Sequence, residues 1–183
     1  MIEVEVKAHV DNFDDIKLKL DEIGAKETKS EHQIDTYFNN PSYRDFEKTD
    51  EALRIRNTTI NRNESVVFIT YKGAKMDEKS KTRKELEMKI EDPNLMSSIL
   101  ESLGFKPAAD VEKERTTYLF NDFIISLDNV LKVGKFVEIE KDMKEGEDFD
   151  NTLDEIFKIY KKLGINDGFE RKSYLELMGI YKG

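Results

Sequence analysis

The stretch that decides the fold is Ile2-Glu3-Val4-Glu5-Val6-Lys7. Its residues alternate strictly, so a strand would send Ile2, Val4 and Val6 to one face and Glu3, Glu5 and Lys7 to the other. In most half-buried strands the charged face meets water. For this one segment that ordinary reading would suffice. It weakens because the same alternation recurs along the whole chain.

On the charged parity lie Glu3, Glu5 and Lys7; Arg54 and Arg56; Lys72; Arg83, Glu85 and Glu87; Lys113 and Arg115; Asp128; Glu138 and Glu140. The opposite parity carries Val4, Val6, Leu53, Ile55, Leu86, Met88, Ile125, Leu127, Val137 and Ile139. Seven acids and seven bases would therefore share one face of the sheet. Between the strands run three helical patterns with apolar stripes at Ile16/Leu20/Ile23, Leu95/Ile99/Leu103 and Leu153/Ile156/Phe157/Tyr160/Leu163. Gly24, Gly104 and Gly164 stop them. Asp11 or Asn12 can cap the first, and Pro93 opens the second.

Three cycles of strand and helix, each opened by a Glu-x-Glu pair, predict one sheet system of about eight strands with helices outside. The expected class is α+β, a single domain over residues 1–183. If the sheet closes, its charged face becomes the lumen of a barrel wide enough for side chains or one small ligand. Such a lumen must be wet, because unpaired buried charges cost several kcal/mol each. Paired acids suit hard cations such as Mg²⁺ or Mn²⁺, and paired Arg and Lys suit phosphate oxygens. A polyanion with its metals satisfies both.

Composition narrows the classes further. Thirty Lys+Arg against 39 Asp+Glu give a net charge of −9, which argues against nucleic acid or an anionic membrane as partner. Cysteine is absent, which excludes disulfides, thiolate metal sites and a Cys nucleophile. No apolar run approaches the ~20 residues of a membrane span, and the first residues form no signal core. A cytoplasmic protein is expected. His9 and His32 fit no ligand spacing and read as structural. Residues 74–82, charged and small, read as a mobile loop, and 142–151 as a solvated acidic one. Tyr37, Phe38 and Phe136 could stack a base, but packing is the commoner use of each.

Glu3-Val-Glu5-Val-Lys7 resembles the ExExK signature of the CYTH superfamily, the triphosphate tunnel metalloenzymes. The resemblance continues through Gln33-Ile-Asp35-Thr-Tyr37-Phe38, Leu53-Arg54-Ile-Arg56, Thr70-Tyr71-Lys72-Gly73 and Arg83-Lys-Glu85-Leu-Glu87. It extends over Lys113-Glu-Arg115, Asp128-Asn-Val130, Gly134-Lys-Phe136-Val-Glu138-Ile-Glu140 and Ser173-Tyr174. It implies an eight-stranded antiparallel tunnel with helices packed outside. It also implies metal ligation by Glu3, Glu5, Glu138 and Glu140, with Glu87 and Asp128 supporting or sharing that role. Lys7, Arg54, Arg56, Lys72, Arg83, Lys113 and Arg115 would grip a triphosphate.

The Gln-x-Asp-x-Tyr-Phe and Gly-x-Phe-x-Glu-x-Glu blocks look most like the class IV adenylate cyclase, CyaB-like, branch. The resemblance therefore implies conversion of ATP to cyclic AMP and pyrophosphate, with Mg²⁺ or Mn²⁺ as cofactor. The alternative is a triphosphatase acting on inorganic or thiamine triphosphate, with Lys7 and Lys72 managing the attacking water. A non-catalytic polyphosphate-binding module is the third reading. The expected partners are a nucleoside or inorganic triphosphate and, between protein chains, a second copy in a homodimer.

Overall fold

A computed structural model describes residues 1–181. Eight strands close into an antiparallel barrel: β1 (Ile2–Val10), β2 (Lys26–Asn39), β3 (Ala52–Ile60), β4 (Glu64–Lys72), β5 (Arg83–Ile90), β6 (Lys106–Phe120), β7 (Phe123–Val130) and β8 (Gly134–Met143). Their order around the barrel is β1-β5-β4-β3-β2-β6-β7-β8. The helices α1 (Asp14–Glu22), α2 (Phe46–Thr49), α3 (Pro93–Ser102), α4 (Asp150–Lys162) and α5 (Tyr174–Leu177) lie on or between these strands. None of the described helices is long and apolar enough to cross a membrane.

The parity argument holds around most of the wall. The apolar residues of β1, β7 and β8 are buried outside the barrel with Ile16 and Leu20 of α1 and Leu153, Ile156 and Tyr160 of α4. Tyr160 places its hydroxyl between the carbonyls of Val6 and Val137, at 2.7 and 2.8 Å, so its one proton serves two strands. A second cluster joins Phe38, Phe46, Leu53 and Ile55 to Ile90 and Leu100. A third gathers Val111, Val130 and Phe136 around Tyr174 and Leu175 of α5. Phe38 and Phe136 are therefore packing residues, as their commoner use suggests.

Three expectations change. The stripe Leu95, Ile99 and Leu103 of α3 is exposed, and Leu100 with Met96 packs inward instead. Apolar residues cover so wide an arc of this helix that periodicity does not select the inner edge, and the curved barrel wall touches only one. Strands β2 and β6 begin earlier than the strand patterns around Ile34–Asn39 and Val111–Phe120 suggest, since residues 26–33 and 106–110 also pair in the ladder, with one irregularity in each. The stretch 74–82 is not a free loop. β1 meets β5 only at Ile2 and Glu3. Beyond that the Lys81 amide donates to the Glu5 carbonyl at 2.9 Å, with Ser80 and Thr82 buried beside it.

Further along β1, Glu170 N–H bonds the Lys7 carbonyl and His9 N–H bonds that of Gly168. Gly168 has φ +77°, and a Cβ there would lie 2.8 Å from the His9 carbonyl oxygen. Glycine is required for this close approach. Arg171 ties the two closing segments together, donating to the carbonyls of Ser80 and Asp77.

Candidate active site

Inward-facing side chains line a cavity of about 680 Å³. This is within the range of pockets that take drug-sized ligands. Most of the charged-parity residues reach its wall: Glu3, Glu5, Arg54, Arg56, Lys72, Arg83, Glu85, Glu87, Lys113, Arg115, Glu138 and Glu140. Lys7 and Asp128 do not line it, although both are buried.

On the β1/β8 side, Glu5 and Glu140 are register partners. One carboxylate oxygen from each of Glu3, Glu5 and Glu140 lies within 4.8 Å of the others. Burial pushes the Glu5 carboxyl above its ordinary range, and Glu138 and Glu3 push further in the same direction. Burial and then Glu3 push Glu140 up to about 8. Glu140 makes no hydrogen bond or ion pair of its own among the described residues. Three hard oxygen donors this close together suit a hard divalent cation such as Mg²⁺ or Mn²⁺.

The other expected ligands have partners of their own. Glu138 meets Arg115 at 2.5 Å and Lys81 at 3.7 Å. Burial would raise its pKa, but Lys81 and Arg115 hold it well below the usual carboxylate range. Asp128, with no solvent exposure, accepts two bonds from Arg115 at 2.6 Å, one from Lys113 at 3.0 Å and one from Tyr174 at 2.9 Å. Its oxygens are committed to orienting bases. Glu87 accepts from Thr70 at 2.7 Å near the cavity rim.

The bases form the facing wall. Arg56 grips Asp35 through Nε and Nη2 at 2.6 and 2.7 Å, and Arg54 reaches the same carboxylate at 3.4 Å. Burial would raise the Asp35 pKa, yet Arg56 and Arg54 drive it far below the ordinary value. Arg54 Nε is buried with no partner among the described residues, a donor left for an anion. Lys72 lies between Glu3 at 2.9 Å and Glu85 at 2.7 Å. Burial opposes its charge, but Glu3 and Glu85 outweigh burial and hold the proton firmly. Burial and then Arg115 lower Lys113 to about 8. Arg83 lies loosely, 3.9 Å from Asp50.

The lysines Lys7 and Lys72 are not brought together as a pair. Lys7 donates to the Lys172 carbonyl at 2.5 Å and lies 4.2 Å from the Tyr174 ring centre. Burial and then Lys81 lower it to about 7. Lys81 and Asp35 were missing from the expected site. Lys81 bonds Glu5 at 2.5 Å and leans toward Glu138, so it is the resident cation of the acidic wall. Nothing in the polar stretch 74–82 signals that. Asp35 did carry a signal, since Gln33, Asp35 and Tyr37 alternate with outward Ile34 and Thr36.

A sequence profile of the CYTH domain matches residues 1–174. A protein of Methanocaldococcus jannaschii named "Putative adenylate cyclase" is 44% identical over 181 residues, 98% of this chain and 100% of that relative. A solved Pyrococcus horikoshii structure is 43% identical with a TM-score of 0.87, covering 96% of this chain and 97% of its own. A Hippeastrum protein, described as a "putative adenylyl cyclase" with a dominant triphosphatase activity, shares the fold at 18% identity and a TM-score of 0.67, with 97% and 95% covered.

Proposed function

The chain belongs to the CYTH domain family, and from that premise we propose that it is a metal-dependent enzyme that cyclises ATP to cyclic AMP and pyrophosphate inside the barrel. One observation carries the reading. Three clustered carboxylates, of which Glu140 has no cation of its own, share one nucleotide-sized cavity with oriented guanidinium and ammonium groups. A metal triphosphate is complementary to both walls.

Glu3, Glu5 and Glu140 would hold Mg²⁺ or Mn²⁺, which supplies charge neutralisation and orientation for displacement at phosphorus. Arg54, Arg56, Lys72, Arg83, Lys113 and Arg115 would bind the phosphate oxygens. Asp35, Asp128 and Glu138 orient these groups before substrate arrives, so little reorganisation is left for the reaction itself. In cyclisation the ribose 3′ hydroxyl gives up its proton to solvent, its oxygen bonds to the α-phosphorus, the bridging bond to the β-phosphate breaks, and pyrophosphate departs.

Hydrolysis of inorganic or thiamine triphosphate is the second reading, raised by the activity of the Hippeastrum neighbour. Less supports it in this chain. The lysine pair expected to manage water is split, with Lys72 held between two glutamates and Lys7 outside the cavity wall. The 44% identity to a protein named "Putative adenylate cyclase" favours the first reading as well.

The test is to incubate the protein with ATP, tripolyphosphate and thiamine triphosphate in turn, with Mg²⁺ or Mn²⁺, and identify the products. Cyclic AMP plus pyrophosphate is expected from ATP. Orthophosphate without cyclic nucleotide would transfer the case to hydrolysis.

A further inference from the structure

The outer face of the barrel is not covered everywhere. On β5, Leu86 and Met88 are 54% and 61% exposed, and Glu87 and Lys89 are exposed as well. The reason lies in the offset of the strands. β5 pairs with β4 from Glu85 to Ile90, but it meets β1 only at Arg83 and Lys84. The Glu85 amide closes that contact on the Met1 carbonyl at 3.1 Å. Beyond it β5 runs past the start of β1. Among the described residues no strand pairs with its 86–90 stretch on that side.

Main-chain groups alternate in direction along a strand. Glu85 points toward β1, so the N–H and C=O groups of Glu87 and Lys89 point to the same, open side. An exposed edge carrying apolar side chains is a template for another strand. The charges on this edge select which one. In a single chain Glu87 accepts the Thr70 hydroxyl but has no ion pair, and Lys89 has none either, among the described residues. For an antiparallel copy of β5, only a two-fold axis at Met88 sets these two residues opposite each other, Glu87 against Lys89 and Lys89 against Glu87. An axis one residue to either side sets Glu87 or Lys89 against its own like charge. The Met88 axis also places Leu86 opposite Ile90, and Met88 opposite its own copy, on the outer face.

We propose that the open edge of β5 is a dimer interface, on which a second copy of this chain pairs antiparallel about a two-fold axis at Met88. Four main-chain hydrogen bonds form, two in each pairing of Glu87 with Lys89, and the two charge pairs flank the axis. Leu86, Met88 and Ile90 of both copies then make one apolar strip. A stable interface generally buries about 1,200 Å² or more, which two five-residue strands do not supply alone. The exposed stripe Leu95, Ile99 and Leu103 of α3 lies on the same side of the barrel, since the inner edge of that helix packs in one cluster with Ile90. It offers further apolar surface to the second copy. The pairing needs neither metal nor substrate.

The chain has no cysteine, so a single introduced thiol tests the axis directly. An axis at Met88 makes the two copies of position 88 a non-hydrogen-bonded pair, with Cα atoms about 4.5 Å apart, inside the reach of a disulfide. Under mild oxidation Met88→Cys should form a covalent dimer on the order of tenfold faster than Leu131→Cys. Leu131 is exposed to a similar degree, on the β7–β8 turn at the other end of the barrel. Sedimentation of the full chain gives the second readout, with a dimer expected for the wild type. Met88→Glu puts like charges on the axis, and Lys89→Pro removes an N–H that faces the open side and leaves the β4 ladder intact. Each should raise the dimer dissociation constant on the order of tenfold or more, with an unchanged circular dichroism spectrum. A monomeric wild type would overturn the interface. So would a dimer that survives Met88→Glu with its affinity unchanged, or equal cross-linking at positions 88 and 131.

Discussion

The two walls of the tunnel use the same kind of residue to opposite ends. On the β2/β6/β7 side, Asp35 and Asp128 are each bound by two cationic side chains, and their pKa values fall far enough to overcome burial. On the β1/β8 side, burial first raises the pKa values of Glu5 and Glu140, and carboxylates add to it, Glu138 for Glu5 and Glu3 for Glu140, outweighing the Lys81 that bonds Glu5. A carboxylate paired with guanidinium is structure: it satisfies a buried base and aims it. A carboxylate such as Glu140, set beside other carboxylates with no cation of its own, is open to a positive ligand. The comparison teaches that acidity alone does not mark a metal ligand. The sign of the neighbouring charge does.

The sharpest way to break the comparison is to remove a paired acid. Asp128→Ala leaves Arg115, Lys113 and Tyr174 without their common acceptor. Removing one partner of a buried ion pair costs about 3–5 kcal/mol, so urea denaturation should show a loss of that size. A loss under about 1 kcal/mol would place Asp128 among the dispensable charges.

Next comes an acid from the other wall. Glu140→Gln should reduce Mg²⁺-dependent turnover by about 10²-fold or more, about 2.7 kcal/mol of transition-state stabilisation. Its folding stability should stay within about 1 kcal/mol of wild type, because Glu140 has no ion pair to lose. Near-normal turnover at saturating Mg²⁺ would remove Glu140 from the metal site.

The smallest effect is read from acid titration of the unmodified protein. The pKa values of Asp35 and Asp128 are lower in the folded state than in the unfolded state. Below about pH 4, the unfolded value of Asp, the unfolded chain takes up these protons first. The stabilisation is therefore complete above that value and is lost as pH falls toward the folded value. Each group should contribute a slope approaching 1.4 kcal/mol per pH unit. Stability that stays flat between pH 5 and pH 2.5 would contradict the paired state of this wall.

Much of this was legible before any coordinates. Alternation in residues 2–7, 53–56, 83–88 and 137–140 placed charge on one face, and the closed barrel puts that face inside. The helix stops at Gly24, Gly104 and Gly164 also held, each with positive φ. The inner edge of α3 was not legible, because Leu95, Met96, Ile99, Leu100 and Leu103 offer two adjacent apolar edges. Lys81 was invisible for a different reason: it enters the tunnel from a segment with no strand pattern, held there by backbone bonds to β1.

By itself, the sequence determined which residues face inward, since alternation is a local consequence of strand geometry and needs no knowledge of distant strands. It also determined that the interior is polar and charged. Only the tertiary structure decided what each charge does. Glu138 and Glu140 are identical in type, parity and strand, yet one is bound by Arg115 and Lys81 while the other stands with Glu3 and Glu5. That division depends on distances of a few ångströms between side chains far apart in the chain. Coulomb interactions in a buried site change sign and size over just such distances.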